Sequence, residues 1–183
     1  MRHPLKVSCA LCLVTWILCL AEASATVILP ADFSTVVTES GVIVHGRVIR
    51  VESHLSAPER VIESVVTLAV VRSLKGEVAA TVAFRVPNGQ VGRYRRVLVG
   101  APEFVEGDEV VVFLQGRPPV MPSVFGLNQG VYRVARDAAA RAMVMPPRRA
   151  ATDGRVVRGD PARVALPIDA FAREVRAVLE GGK

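Results

Sequence analysis

Four side chains in a row, Arg93, Tyr94, Arg95 and Arg96, with Arg85 a short way upstream, are the best binding signal in the chain. Guanidinium groups recognise carboxylates, sulfates and phosphates through paired hydrogen bonds, and an aromatic ring among them offers a face for stacking. On a strand successive side chains alternate, so Arg93 and Arg95 share one face while Tyr94 and Arg96 share the other. At most two or three charges then converge. An aromatic among arginines is what single-strand nucleic-acid binders use for stacking, and what polyanionic glycan sites use. The competing reading is an edge strand guarded by charge against pairing with other chains.

Other chemistry is thinly represented. His45 and His54 could hold a metal only if they converged with carboxylates such as Glu52, Glu59 or Glu63, and one falls in a strand pattern and the other in a loop pattern. A serine hydrolase needs a nucleophile on a strained turn of the G-x-S-x-G kind, and the sequence has none. Glu103, Glu106, Asp108 and Glu109 could supply paired carboxylates for glycoside hydrolysis, although the same cluster reads as a solvated turn. Gly89-Gln90-Val91-Gly92 has the glycines of a phosphate-cradling loop but neither a following helix pattern nor a lysine, so a hairpin explains it better. No catalytic residue, cofactor or metal is called for.

The three cysteines, Cys9, Cys12 and Cys19, all fall at the N-terminal end. Residues 1–25 begin with Arg2 and Lys6, run apolar through 7–21, and finish Ala23-Ser24-Ala25, the pattern of a secretory signal peptide with its cleavage site. A spanning helix needs about 20 apolar residues, so cleavage is expected rather than anchoring, with no transmembrane segment afterwards. The exported chain, 26–183, would be secreted or periplasmic, in a bacterial cell envelope. Without thiols it could form no disulfide, thiolate metal site or cysteine nucleophile.

The whole chain has a net charge of +6, from 23 Lys and Arg against 17 Asp and Glu. Beyond the leader the lysines are Lys75 and Lys183 alone, so the positive charge is carried by arginine. These arginines are scattered, and nucleic acid is not the expected partner. Residues 26–183 suffice for a single domain that buries about 68–70% of its unfolded surface.

The elements that must position the arginines are mostly strands. Asp32 can cap a short helical stretch that ends near Ser40 and Gly41. In 42–53 the apolar positions change phase, from Val42, Val44 and Val48 to Ile49 and Val51. A bulge or bend is therefore expected, with Gly46 allowing close backbone approach. Residues 54–59 read as a loop, and 60–74 as a strand apolar on both sides. Residues 81–86 alternate cleanly, and 93–100 form another strand candidate. Residues 109–114 are the most buried in pattern, and 115–126, with Pro118, Pro119 and Pro122, read as a loop or edge segment. A hairpin about Asp137 is expected over 130–145, then a mobile segment over 146–160. The period then changes: Ile168, Phe171, Ala172, Val175, Val178 and Leu179 line one stripe of a helix over 167–180.

Two stretches carry a family likeness, the pair VIVHGRVIRVES and VTLAVVRSLKG followed by GAPEFVEGDEVVVFL. This order resembles the netrin-like, OB-type barrel of tissue inhibitors of metalloproteases. It is also similar to a group of uncharacterised exported bacterial proteins that share the segment G-A-P-x-F-x-x-G-x-E, here Gly100 to Glu109. The resemblance covers about 42–114. It implies an OB-like barrel; together with the elements read above, the expected fold is mainly β, a five- or six-stranded OB-like barrel with a β-hairpin extension and a C-terminal amphipathic helix. It also implies binding of proteins through barrel loops. Those inhibitors chelate zinc with an N-terminal cysteine, and an exported chain starting near Thr26 has none, so their inhibitory residues do not carry over. The expected role is a non-catalytic binding module. Its partner would be an exported protein, conceivably a protease, or an anionic envelope polymer, engaged at 115–126 or near Arg95. An envelope hydrolase using acidic residues and a structural or assembly protein are the alternatives.

Overall fold

The computed structural model describes residues 31–58, 60–116, 119–147, 150–152, 155–157 and 163–181. The proposed leader, with Cys9, Cys12 and Cys19, lies outside them. The chain opens with helix α1 (Phe33–Glu39), followed by the long strands β1 (Val42–Ser56) and β2 (Val61–Lys75). Next come β3 (Thr81–Val86), the small hairpin β4 (Gly89–Val91) and β5 (Tyr94–Arg96), then β6 (Glu109–Gln115) and β7 (Ser123–Val124). Strands β8 (Val131–Arg136) and β9 (Ala142–Met145) precede β10 (Ala150–Thr152), β11 (Arg155–Val157) and β12 (Leu166–Pro167), and helix α2 (Ile168–Gly181) ends the chain.

Strands β1, β2, β3, β7 and β6 follow one another around a closed five-stranded barrel, sealed by antiparallel pairing of β6 back onto β1. All contacts in the ring are antiparallel except β3 with β7. The order is that of an OB-like barrel, as the resemblance implies. Closure removes the exposed edges that an open sheet would carry.

The bend in β1 falls where the phase change places it. Register shifts interrupt the β1–β2 ladder between His45 and Gly46 and between Val48 and Arg50. Ile49 is the extra residue of the second shift and is left exposed, so Val48 and Val51 both turn to the barrel interior. At Gly46 a Cβ would lie 2.6 Å from the Ala69 carbonyl oxygen, closer than two such atoms can approach, which explains the glycine there.

Two cores share the same strands. Val44, Val66, Leu68, Phe84, Val110, Val112 and Leu114 fill the barrel. Ile43, Val111 and Phe113 point the other way and meet Phe33, Tyr132, Phe171 and Val175 beneath the two helices. Phe33 lies edge-on to Phe113, Tyr132 and Phe171, with ring centroids 6.1, 6.2 and 5.5 Å apart. Such pairs add about 0.5–1.5 kcal/mol each beyond area burial. The continuous apolar run of β6 is thus explained: one face lines the barrel and the other carries the helices.

The β8–β9 hairpin about Asp137 extends the sheet from β6, and β12 adds to β9. Asp137 accepts hydrogen bonds from the Ala139 and Arg141 backbone N–H groups, which lower its pKa and fasten the turn. Asp32 caps α1 as expected, accepting from the Thr35 N–H at 2.7 Å, and this bond holds its carboxyl below the usual aspartate range. At the other end of α1, Lys75 donates to the carbonyls of Val37 and Thr38 at 2.8 and 2.9 Å. A cation is favoured at a helix C-terminus, while partial burial lowers the lysine pKa.

Four expectations change. Residues 54–56, expected in a loop, continue β1, with His54 opposite Glu63 and Ser56 opposite Val61 in the ladder, so His54 is a strand residue. The strand expected over 93–100 is confined to Tyr94–Arg96, because Leu98 to Ala101 form a tight turn, with the Ala101 N–H donating to the Leu98 carbonyl at 3.0 Å and Gly100 at a φ of 85°. The stretch 115–126 includes β7, a strand of the barrel wall, because Val124 has apolar neighbours on both β6 and the interior. Within the segment expected to be mobile, β10 and β11 pair with each other, and residues 148, 149, 153, 154 and 158–160 lie outside the described residues.

Candidate functional site

At one end of the barrel, between its wall and the β4–β5 hairpin, lies a cleft of about 370 Å³. Its floor is the inner face of β1, β2 and β3, represented by Val51, Val66 and Val86, together with Phe104. Phe104 is buried and stands edge-on to Phe84 at 5.4 Å, so the floor is continuous with the barrel core. One polar group interrupts it. Ser53 and Ser64 hydrogen-bond each other at 2.8 Å, Ser64 donates to the Asn88 carbonyl at 2.7 Å, and the Gln90 N–H donates to Ser53 at 3.1 Å. This network ties the hairpin to the barrel. Gly89 passes so close that a Cβ would meet both serine hydroxyls, at 2.5 and 2.6 Å.

The upper part of the cleft comes from the two arms of the loop that turns at 98–101. One arm supplies Arg95, Arg96 and Val97, and the other Glu103, Phe104 and Val105. Arg95 and Glu103 join the arms by an ion pair at 3.1 Å, with both side chains well exposed. Exposed pairs of this kind contribute about 0–1 kcal/mol, so the clasp can open at little cost. Arg133 holds the second arm from below, bonding Asp108 at 2.6 Å and the Glu103 carbonyl. Asp108 in turn accepts from the Val105 N–H at 3.0 Å.

The predicted arginines are only partly brought together. Arg95 and Arg96 line the cleft; Arg96 donates to the Ile62 carbonyl at 3.2 Å, which anchors it over the barrel rim. Arg93 lies at the hairpin turn, donates to the Tyr94 hydroxyl at 2.8 Å and has its guanidinium 5.0 Å from that ring's centre. Tyr94 is 61% exposed and does not line the cleft. Arg85 stands apart, beside a second hollow of about 290 Å³ with Glu63, Pro87, Pro102 and Leu127. Its place on β3 aims it outward, between the inward-facing Phe84 and Val86.

The histidines do not converge. His45 is buried and meets Glu109 at 2.8 Å, and Arg47 meets the other oxygen of the same carboxylate at 3.2 Å. His54 lies 3.3 Å from Glu63. Among the described residues no group of His, Cys, Asp and Glu could hold a metal ion. The acidic residues are taken up in separate ion pairs: Glu103 with Arg95, Asp108 with Arg133, and Glu109 with His45 and Arg47, while Glu106 is exposed.

Several cleft residues escape a reading by sequence: Ser53, Ser64, Asn88, Phe104 and Val105. Their one usable signal is the apolar run Val97-Leu98-Val99 followed by Phe104 and Val105 inside a polar, glycine-bearing stretch, more apolar than a solvated loop requires. Among the described residues no helix is long and apolar enough to cross a membrane. No protein-family model matches the chain, and no curated protein or solved structure is significantly similar to it.

Proposed function

We propose that this protein is an exported, non-catalytic binding module that engages another exported protein or an anionic envelope polymer at the mouth of its barrel. One observation supports this most: an apolar cleft, a set of arginines and uncovered aliphatic side chains coincide on one loop and hairpin. Val97 and Val105 are 68% and 66% exposed, Leu98 and Val99 lie next to them, and Arg95 and Arg96 line the cleft below. Apolar surface rimmed by polar groups marks interaction sites. The kinship with netrin-like modules belongs to the same proposal, and the OB-like strand order supports it. OB-type barrels place recognition on their loops, and fold alone does not assign a partner.

Affinity capture from a cell-envelope fraction tests the reading, using the protein and a variant reversed at Arg93, Arg95 and Arg96. A partner retained by the first and lost by the second is expected. If nothing is enriched over the variant at any salt concentration, the reading is wrong.

A further inference from the structure

The cleft and its surroundings say more about the occupant than that one exists. Its volume is at the lower end of the roughly 300–1,000 Å³ usual for ligand pockets, which suits one or two side chains rather than a cofactor. Its floor is aliphatic and aromatic through Val51, Val66, Val86 and Phe104, interrupted by the Ser53–Ser64 pair. Charge around it is unbalanced. Among the described residues Arg95 has the Glu103 carboxylate, whereas Arg96 hydrogen-bonds a backbone carbonyl and Arg93 the Tyr94 hydroxyl, neither with a carboxylate partner. Among the described residues Glu103 is the one carboxylate lining the cleft, against Arg95 and Arg96, so the described lining is net positive.

Backbone is on offer too. Among the described residues β5 pairs with β4 alone, leaving its second edge without a strand. Closed barrels remove such edges, and this hairpin lies outside the closed ring. An unpaired strand edge is a template for an incoming extended segment, with main-chain hydrogen bonds giving affinity and alternate side chains giving specificity.

We infer that the occupant is an extended segment of another protein, alternating aliphatic and acidic residues, which pairs with the free edge of β5. Its aliphatic side chains enter the cleft beside Val97 and Val105, and its carboxylates meet Arg93, Arg95 and Arg96. This inference rests on the binding-module reading above and selects a protein over a polymer. A polymer of sulfates or phosphates would satisfy the arginines but would leave the aliphatic floor and the strand edge unused. On binding, the Arg95–Glu103 clasp exchanges one carboxylate for another, and Arg93 gains its first.

Titration of the isotope-labelled protein, followed by NMR, tests this with defined probes. These are a peptide of about six residues, the usual strand length, alternating isoleucine and glutamate; its counterpart with lysine for glutamate; its counterpart with serine for isoleucine; the first peptide N-methylated at alternate positions; and dextran sulfate. The first peptide is expected to shift the amides of Gly89, Val97 and Val105, and the other three peptides to bind at least about tenfold more weakly. R93E is expected to weaken the first peptide several-fold without changing the spectrum elsewhere, since among the described residues Arg93 hydrogen-bonds its neighbour Tyr94 and no core residue. Equal binding of the lysine or N-methylated peptide, or cleft shifts with dextran sulfate alone, would overturn the inference. If no probe moves the cleft amides while envelope capture still depends on the arginines, the inference falls and the binding-module reading stands. If capture fails as well, both fall.

Discussion

Val111 and Val97 are the same residue type in two valine-rich, β-prone stretches, yet Val111 is fully buried and Val97 is 68% exposed. Val111 sits in the sector where β1 and β6 carry the barrel interior on one face and α1 and α2 on the other. Val97 sits just beyond β5, where the hairpin lies outside the closed ring, and among the described residues it is left largely exposed. The covered sector is stabilised on both faces, by burial worth about 1.5–3 kcal/mol for each large apolar side chain. The uncovered one is anchored by burial at Phe104, which stands on Phe84, and is otherwise held by hydrogen bonds from the barrel. Those are the Ser53–Ser64–Asn88 network and the grip of Arg133 on the arm at 103–108. Stability and exposed apolar surface are thus placed at different parts of the molecule.

The comparison can be broken most forcefully at Phe113, whose ring meets Phe33, Tyr132 and Phe171. Phe113→Ala is expected to destabilise by about 3–5 kcal/mol, read by denaturant unfolding, and to loosen α1 and α2 together. A loss below 1 kcal/mol would mean that the helical cover contributes little. A matched pair sharpens the contrast. Val111→Ser should cost about 2–4 kcal/mol, from lost burial and a hydroxyl placed in an apolar site, whereas Val97→Ser should stay within about 0.5 kcal/mol. Equal costs would show that Val97 is covered in solution.

The smallest effect concerns the cap that starts the cover. The Thr35 N–H bond lowers the Asp32 pKa in the folded protein, so its contribution is complete above the unfolded value of about 3.9 and is lost as pH falls through the lower folded value. Asp32→Ala should therefore be less stable than the parent at neutral pH, with the gap closing in acid. Asp32→Asn, which caps without ionising, should show no such closing. A gap that persists at the lowest pH would assign the effect to something other than the carboxylate.

Much of this architecture is legible in local pattern. The phase change in 42–53 becomes the shifts in the β1–β2 ladder, because period 2 ties each residue to a face and an extra residue must flip the remainder. The stripe from Ile168 to Leu179 becomes α2, and Asp32 becomes a cap, since both depend on neighbours within a turn or two. The site was legible only in part. Arg95 and Arg96 reach the cleft, while Arg85 is turned to the outer face because Phe84 and Val86 must point inward. Phe104 reads as a loop residue among acidic neighbours, yet it reaches the core through its contact with Phe84.

By itself, then, the sequence determined what neighbouring residues decide: the long strands, the bend at Gly46, the Asp32 cap, the final helix and the run of arginines. It also confined every cysteine to the first nineteen residues. Only the tertiary structure decided which valines are covered, that Ser123–Val124 completes the barrel wall, that His45 and His54 meet different carboxylates, and that residues from 51 to 105 build one cleft. The physical reason is closure. Pairing β6 onto β1 settles which face of each strand is interior, and no local pattern contains that information for residues brought together from distant parts of the chain.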